Sequence, residues 1–199
     1  HALVPATDVE RVGGRVVGVE VVLGEHRVLV VNPRRVLEEA GLLRGPQVGL
    51  GGAQFPTHVK LSIPDGQKAE MLIVNGVECE PYLTSDYRNM VERAEMMLTG
   101  VEILMRALGV ERAVIGVENN KPDAIEHLNK VIARDAYRGI EVMPLKMRYP
   151  QGGEKQLIAA VTGRQVPPPP ALPISVGAVV SNVSTAIAVY EAVQKNKPL

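Results

Sequence analysis

This sequence has little cysteine, few aromatic residues and no formal net charge. The chain of 199 residues has one cysteine, Cys79, one phenylalanine and no tryptophan. A single cysteine excludes an internal disulfide, an all-cysteine zinc site and an iron–sulfur cluster held by this chain alone. The 22 lysines and arginines balance 22 aspartates and glutamates, so no overall positive field attracts nucleic acid or anionic lipid. We therefore expect no nucleic-acid partner, and the spacing of the four histidines gives no metal site.

Long hydrophobic runs are also missing. No apolar stretch approaches the roughly 18–20 residues that a membrane-spanning helix needs, so we expect no transmembrane segment. Hydrophobic residues still make up 46% of the chain, which is enough to bury a proper core. The start at His1 and the stop at Leu199 lead us to expect a piece of a longer protein.

The first 44 residues are rich in valine and have the pattern of a β-hairpin. Residues 15–22 and 26–31 are dominated by β-branched side chains, which favour strands, and Gly24 with Glu25 separates them. Pro33 then predicts the start of a short helix over residues 34–40. We interpret residues 1–44 as a β-rich segment that precedes a separate domain.

Residues 45–199 alternate short apolar runs with helical patterns. The apolar runs predict buried strands at residues 70–74, 113–117, 140–143 and 177–181. The three- and four-residue spacings predict helices at 85–108, 122–133, 154–161 and 184–194, the first capped by Ser85 or Asp86 and the last by Ser184. This order predicts a Rossmann-like, doubly wound α/β domain with a mainly parallel sheet and helices on both faces.

Glycines are concentrated at residues 49–60, in a stretch that ends with Lys60. Glycines at this spacing let backbone N–H groups approach a phosphate or a flat ring closely. Phe55, Pro56 and Thr57 have the pattern of a helix entry, whose positive end would face such a ligand. A simple turn explains the same glycines equally well.

Three further polar or glycine-rich segments follow predicted strands, at residues 75–81, 149–156 and 182–185. The carboxyl ends of the strands are where ligands bind in this class of sheet. The carboxylates of the first segment, Glu78 and Glu80, line such a crevice or cap the next helix. Each junction alone is typical of a helix cap, whereas several converging on one sheet edge favour a binding site.

Together these segments resemble one protein family. The strings that carry the resemblance lie at residues 49–61, 75–86, 115–125, 149–157, 162–167 and 182–186. In this order they resemble the C subunit of the Rnf electron-transport complex over residues 45–199. The flavin-carrying, NADH-oxidising subunit of respiratory complex I shares the same domain more distantly.

The resemblance implies a domain that holds FMN and takes a hydride from NADH. The cofactors carry this chemistry, so it implies no catalytic side chain. The residues at the family's FMN-binding positions are Gly49, Gly51, Gly52, Lys60, Asn75, Glu78, Gly152, Gly153, Asn182 and Thr185. The residues at the NADH-binding positions are Phe55, Glu80, Glu154 and Lys155.

The resemblance also implies the setting in which such a domain works. Electrons would pass to 4Fe-4S clusters held by a cysteine-rich part that follows this domain in the full subunit. The partners would be the other subunits of an ion-translocating Rnf complex. The domain would lie on the cytoplasmic side of the cell membrane, attached peripherally.

Two alternatives to this interpretation stay open. The chain has Leu50, Gln54 and Val77 where the complex I subunit has arginine, glycine and aspartate, which favours a docking module without flavin, as in relatives from the sodium-pumping NADH:quinone oxidoreductase. The other alternative is a related cobalamin reductase, which tends to have Tyr-Pro-Ala-Gly-Asp-Glu at the position of residues 149–154.

Overall fold

The computed structural model describes residues 8–12, 15–23, 26–31, 49–50, 56–135, 137–195 and 197. The helix expected at residues 34–40 lies outside the described residues. So do three of the residues at the family's ligand-binding positions, Gly51, Gly52 and Phe55.

Three antiparallel strands form a small sheet near the amino terminus. They are β1 (Asp8–Val12), β2 (Arg15–Leu23) and β3 (His26–Val31), in the order β1-β2-β3. The β2–β3 pair, in which Leu23 lies opposite His26, confirms the predicted hairpin. Strand β1 was not predicted, because three of its five residues are charged and too few apolar residues remain to indicate a strand.

Four parallel strands form the central sheet of the larger unit. They are β4 (Met71–Gly76), β5 (Ala113–Glu118), β6 (Ile140–Leu145) and β7 (Ala178–Asn182). Their spatial order is β6-β5-β4-β7. The chain therefore winds outward in one direction from β4 to β6 and returns to the other side of β4 with β7. Such a reversal creates a crevice between the carboxyl ends of the two strands concerned, here β4 and β7.

Helices cover both faces of this sheet, as expected. They are α1 (Thr57–Leu61), α2 (Ser85–Glu92), α3 (Ala94–Leu108), α4 (Pro122–Arg134), α5 (Glu154–Thr162) and α6 (Val183–Lys195). Leu72 and Val74 of β4 point into an apolar cluster shared with α3, α4 and α6. Ile73, between them, points into the opposite cluster, which includes Leu157 and Ile158 of α5. The alternation follows from the two-residue period of a strand.

The prediction of a single helix over residues 85–108 was wrong, because the structure has two helices there, α2 and α3, separated at Arg93. That residue has φ −133° and ψ 30°, outside the helical region, and its guanidinium lies 2.5 Å from Glu191 of α6. Met90 and Met97 on either side of the break are both fully buried. The apolar spacing continues through the break, so periodicity alone did not reveal it.

None of the helices within the described part of the chain combines the length and the apolar character needed to cross a bilayer. The boundary proposed near residue 44 stays a prediction.

Candidate functional site

Two asparagines lie at the crevice between β4 and β7. Asn75 and Asn182 are paired in the parallel register of the two strands. The side-chain amide of Asn182 donates to the carbonyl oxygen of Asn75 at 3.4 Å. Two separated segments of the sequence therefore meet at the carboxyl end of the sheet, as their positions after predicted strands indicated.

The loop before α5 is fastened to the loop after β4. Asn75 Nδ2 donates to the carbonyl oxygen of Gly152 at 2.9 Å, and the Gly152 N–H donates to Cys79 Sγ at 3.0 Å. A Cβ atom on Gly152 would lie 3.1 Å from the Val77 carbonyl oxygen and 3.3 Å from Cys79 Sγ. The close approach of the two loops therefore favours glycine at position 152. Val77 is itself buried in the apolar cluster beside α5, which suits valine better than the aspartate of the complex I subunit.

Lys60 brings a positive charge to the crevice from α1. Its Nζ lies 3.2 Å from the Val180 carbonyl oxygen and 3.4 Å from Glu154 Oε1. The side chains of Lys60 and Glu154 keep 35% and 44% of their surface exposed. A half-exposed pair of this kind contributes little to stability, so both groups stay available to a ligand.

The amino terminus of α6 forms another wall. Thr185 Oγ1 accepts a hydrogen bond from the Leu50 N–H at 3.0 Å, which ties residues 49–50 to the helix. Asn182 Oδ1 accepts the Ser184 N–H at 2.8 Å. The helix is thus capped by Asn182 and not, as predicted, by Ser184, whose hydroxyl donates to Asp86 Oδ1 at 2.8 Å instead.

These walls enclose a cavity of about 630 Å³. The predicted ligand-binding residues that line it are Gly49, Lys60, Asn75, Gly152, Glu154, Asn182 and Thr185. Leu172, Ile174 and Val180 contribute an apolar side. The volume lies within the range of roughly 300–1,000 Å³ that is usual for small-molecule sites.

A second cavity of about 420 Å³ adjoins the first, since Asn75, Gly152 and Asn182 line both. Its further lining includes Gly153 and the acidic residues Glu78, Glu80 and Asp86, although the Glu78 side chain keeps only 1% of its surface exposed. No lysine or arginine is found among the residues described as lining this cavity. It is therefore the acidic end of the crevice.

Glu78 caps the next helix, one of the two roles left open by its sequence position. Its Oε1 accepts the Asp86 N–H at 2.7 Å, and its Oε2 accepts the Tyr87 N–H at 3.1 Å. Oε2 also accepts from Lys121 Nζ at 2.9 Å. The expected caps, Ser85 and Asp86, were wrong, because a carboxylate from the preceding loop supplies the acceptors at the start of α2.

Sequence reasoning did not identify Asp86 as a site residue. Its carboxylate accepts from Asn182 Nδ2 at 2.7 Å and from Ser184 Oγ at 2.8 Å, so it joins α2 to the start of α6. Burial raises the pKa of this carboxyl above its ordinary value, although the two hydrogen bonds act in the opposite direction. Its position after a predicted strand was the available signal, and it indicated a cap equally well.

Some predicted residues lie elsewhere. Lys155 Nζ donates to the Pro167 carbonyl oxygen at 2.9 Å on an exposed surface, and Lys155 lines neither cavity. Glu80 is exposed at the rim of the second cavity. No group of three or more histidine, cysteine or acidic side chains suited to a metal ion occurs in the part of the chain that the structure describes.

The first cavity has the chemistry that a flavin nucleotide requires. Its apolar side suits a flat ring system. The Asn75 amide donates to the Gly152 carbonyl oxygen and accepts from the Val77 N–H, and it keeps a second N–H and a second lone pair for a ligand. Lys60 and the amino terminus of α6 suit an anionic group. The volume of the first cavity and the polar and charged groups of its described lining residues therefore suit FMN.

Comparison with known proteins identifies the family and the fold. The family model of the Nuo51 FMN-binding domain matches residues 40–191, a span that includes the whole parallel sheet. The chain belongs to this family. A chain from the crystal structure of NAD+-reducing [NiFe]-hydrogenase in the air-oxidized state has the same fold, with a TM-score of 0.71 and 26% identity over 81% of this chain and 30% of that chain.

Curated relatives confirm the resemblance to the C subunit of an Rnf-type complex. The C subunit of the proton-translocating ferredoxin:NAD(+) oxidoreductase complex of Clostridium ljungdahlii is 49% identical over 82% of this chain and 34% of its own length. The Na(+)-translocating counterpart from Acetobacterium woodii is 53% identical over 76% of this chain and 34% of its length. The C subunit of the ion-translocating oxidoreductase complex of Pseudomonas aeruginosa is 44% identical over 76% of this chain and 19% of its own length. The chain thus spans about a third or less of these relatives.

Proposed function

We propose that this chain binds FMN in the crevice between β4 and β7, takes a hydride from NADH, and passes electrons to 4Fe-4S clusters in a part of the protein beyond this chain. The observation that carries the proposal is the convergence of Lys60, Asn75, Gly152 and Thr185 on one cavity. The family name supports FMN, and the relatives' names support an oxidoreductase role in an ion-translocating complex.

In this proposal the first cavity holds the flavin. Lys60 stabilises negative charge on the bound nucleotide, because its side chain keeps only 35% of its surface exposed, which limits screening of the charge by water. Asn75 hydrogen-bonds the ring edge or the ribityl chain, and Gly49 and Gly152 allow the backbone to approach. Asn182 and Thr185 place the start of α6 toward the phosphate, and Gly51 and Gly52 stay predicted contacts. FMN, when bound, supplies two-electron acceptance and single-electron release.

The second cavity receives the nicotinamide end of NADH. Carboxylates accept hydrogen bonds from ribose hydroxyls and from a carboxamide, whereas they repel a pyrophosphate. Glu80, at the rim of the second cavity, and Glu154, which lies beside Lys60 and lines the adjoining first cavity, are the proposed contacts. Phe55 stays a predicted stacking face, and Lys155 reaches the dinucleotide only if it leaves the Pro167 carbonyl oxygen.

We propose that the domain acts as a peripheral subunit of a membrane-bound, ion-translocating complex, on the cytoplasmic side. Its partners there are the other subunits of an Rnf-type complex. The support for this setting is the naming of the relatives as subunits of such complexes.

The direct test is an FMN titration of the purified chain, followed by anaerobic addition of NADH. We expect one FMN to bind per chain and its visible absorption to bleach with NADH. Lys60→Ala should weaken FMN binding by about tenfold, the loss expected for a charge-assisted hydrogen bond. Lys68→Ala removes an exposed lysine outside the cavity and should leave the affinity unchanged.

Two results would replace this proposal with an alternative. Absence of FMN binding by the unmodified chain would favour a docking module without flavin. Binding of FMN followed by electron delivery to added cobalamin, with none to an iron–sulfur acceptor, would favour a cobalamin reductase.

A further inference from the structure

Three charged side chains form a buried cluster behind the second cavity. Lys121 Nζ lies 2.9 Å from Glu78 Oε2 and 3.3 Å from Glu118 Oε2. The side chains of Lys121, Glu78 and Glu118 keep only 14%, 1% and 3% of their surface exposed. Lys121 belongs to the 115–125 string that carried part of the family resemblance, and it lines neither cavity.

Burial of this cluster has an unfavourable free energy, which indicates a role besides stability. Removing charged groups from water carries a large free-energy cost for each ion, and well-packed apolar residues are often as stabilising as a buried ion pair. Here one lysine faces two carboxylates, so the charges do not cancel. What this cluster provides is a defined position for Glu78.

A continuous series of hydrogen bonds leads from Glu78 to the crevice. Glu78 accepts the backbone N–H groups of Asp86 and Tyr87, which fixes the start of α2. The Asp86 carboxylate then accepts from Asn182 and Ser184. With its Nδ2 held in this way, Asn182 presents Oδ1 to the Ser184 N–H and caps α6.

We propose that Lys121 is a positioning residue for the crevice, which acts through Glu78 and Asp86 to orient the side chain of Asn182. The inference rests on the proposed function for its consequence, namely FMN affinity. Its structural part concerns the start of α2 and the start of α6, and it is measurable without any ligand.

The test compares Lys121→Met with Lys130→Met, which removes an exposed lysine from α4, the helix that Lys121 immediately precedes. Two readouts are used, FMN affinity and hydrogen exchange of individual amides in the ligand-free chain. For Lys121→Met we expect FMN binding about tenfold weaker, the scale seen for residues that act on a site without touching its ligand. We also expect faster exchange at the amides of Asp86, Tyr87 and Ser184, and unchanged exchange at Ile115 in β5.

Lys130→Met should match the unmodified chain in both readouts. Lys121→Arg should restore most of the affinity, because a guanidinium also donates to both carboxylates. If Lys121→Met does not fold, the same readouts on Lys121→Gln decide, since glutamine keeps one donor toward Glu78 without the charge.

Unchanged affinity and unchanged exchange in Lys121→Met would overturn the inference. So would a uniform rise in exchange that includes Ile115 and is not rescued by arginine, because that pattern marks a merely structural residue. If the unmodified chain binds no FMN, the proposed function fails, and the exchange at Asp86, Tyr87 and Ser184 still decides the positioning role.

Discussion

Replacing Gly100 with alanine should force apart the two helices that pack along one face of the parallel sheet. Gly100 is buried near the middle of α3, directly against α6. A Cβ atom at this position would lie 1.9 Å from the carbonyl oxygen of Ala186 and 2.6 Å from its carbonyl carbon. Ordinary contact begins at 3.4 Å, so the helices must separate locally by about 1.5 Å (3.4 − 1.9).

The sign of the effect separates packing from helix propensity. On propensity alone, glycine to alanine within a helix stabilises a protein by about 0.5–1 kcal/mol. At Gly100 the obstacle is backbone, which has no rotamer to change, so the overpacking cost of about 1–3 kcal/mol should apply at its upper end. We expect a net loss of about 2 kcal/mol, which is a fall in Tm of about 4–8 °C for a chain of this length.

Urea unfolding followed by circular dichroism measures this loss. Ala133→Gly, at an exposed position of α4, calibrates the propensity scale and should cost about 1 kcal/mol. FMN titration of Gly100→Ala should show weaker binding, because Ala186 adjoins Thr185 in the proposed site. A variant as stable as the unmodified chain, or more stable, would refute the close backbone packing of α3 on α6.

Three further predictions concern the crevice and its support. Gly152→Ala should weaken FMN binding and cost about 1 kcal/mol, because its Cβ would lie 3.1 Å from the Val77 carbonyl oxygen; titration and urea unfolding measure both. Asp86→Asn removes a carboxyl whose pKa is raised above 3.8 by burial. Between pH 3.8 and the raised pKa the folded protein binds a proton that the unfolded chain has lost, so the unmodified protein loses stability as the pH rises through this window. Asp86→Asn lacks this titration, so its stability relative to the unmodified protein should increase over the same window in urea unfolding. A stability difference that does not change with pH would contradict this prediction. Leu157→Ala should cost about 2–5 kcal/mol, because Leu157 is fully buried beneath the crevice, whereas Leu172→Ala, 61% exposed, should cost under about 0.5 kcal/mol in thermal unfolding.

The parallel sheet was predictable because its central strands, β4 and β5, are largely buried on both faces. Each central strand is therefore a short apolar run, and all six residues of β5 are buried. Glycine endings were equally visible, since Gly109 ends α3 with a left-handed φ of 66°. The spatial order β6-β5-β4-β7 was not specified by these patterns, because they carry no information about which strands become neighbours.

The helix boundaries that failed had long-range causes. Arg93 leaves the helical conformation where its guanidinium meets Glu191, 98 residues away. The cap of α2 comes from Glu78, which is in turn held by Lys121, 43 residues further along the chain. Local sequence carries no information about either distant partner, so it led to the prediction that Ser85 or Asp86 caps the helix.

The sequence by itself determined the fold class and the segments that border the crevice, because apolar periodicity and strand-end position are local properties. Only the tertiary structure decided what each polar side chain does there. Asn75 fastens the Gly152 loop, Glu78 caps a helix, and Lys155 points elsewhere. A polar group takes its role from its hydrogen-bond partner, and these partners are supplied by distant parts of the chain that meet only when the sheet is assembled.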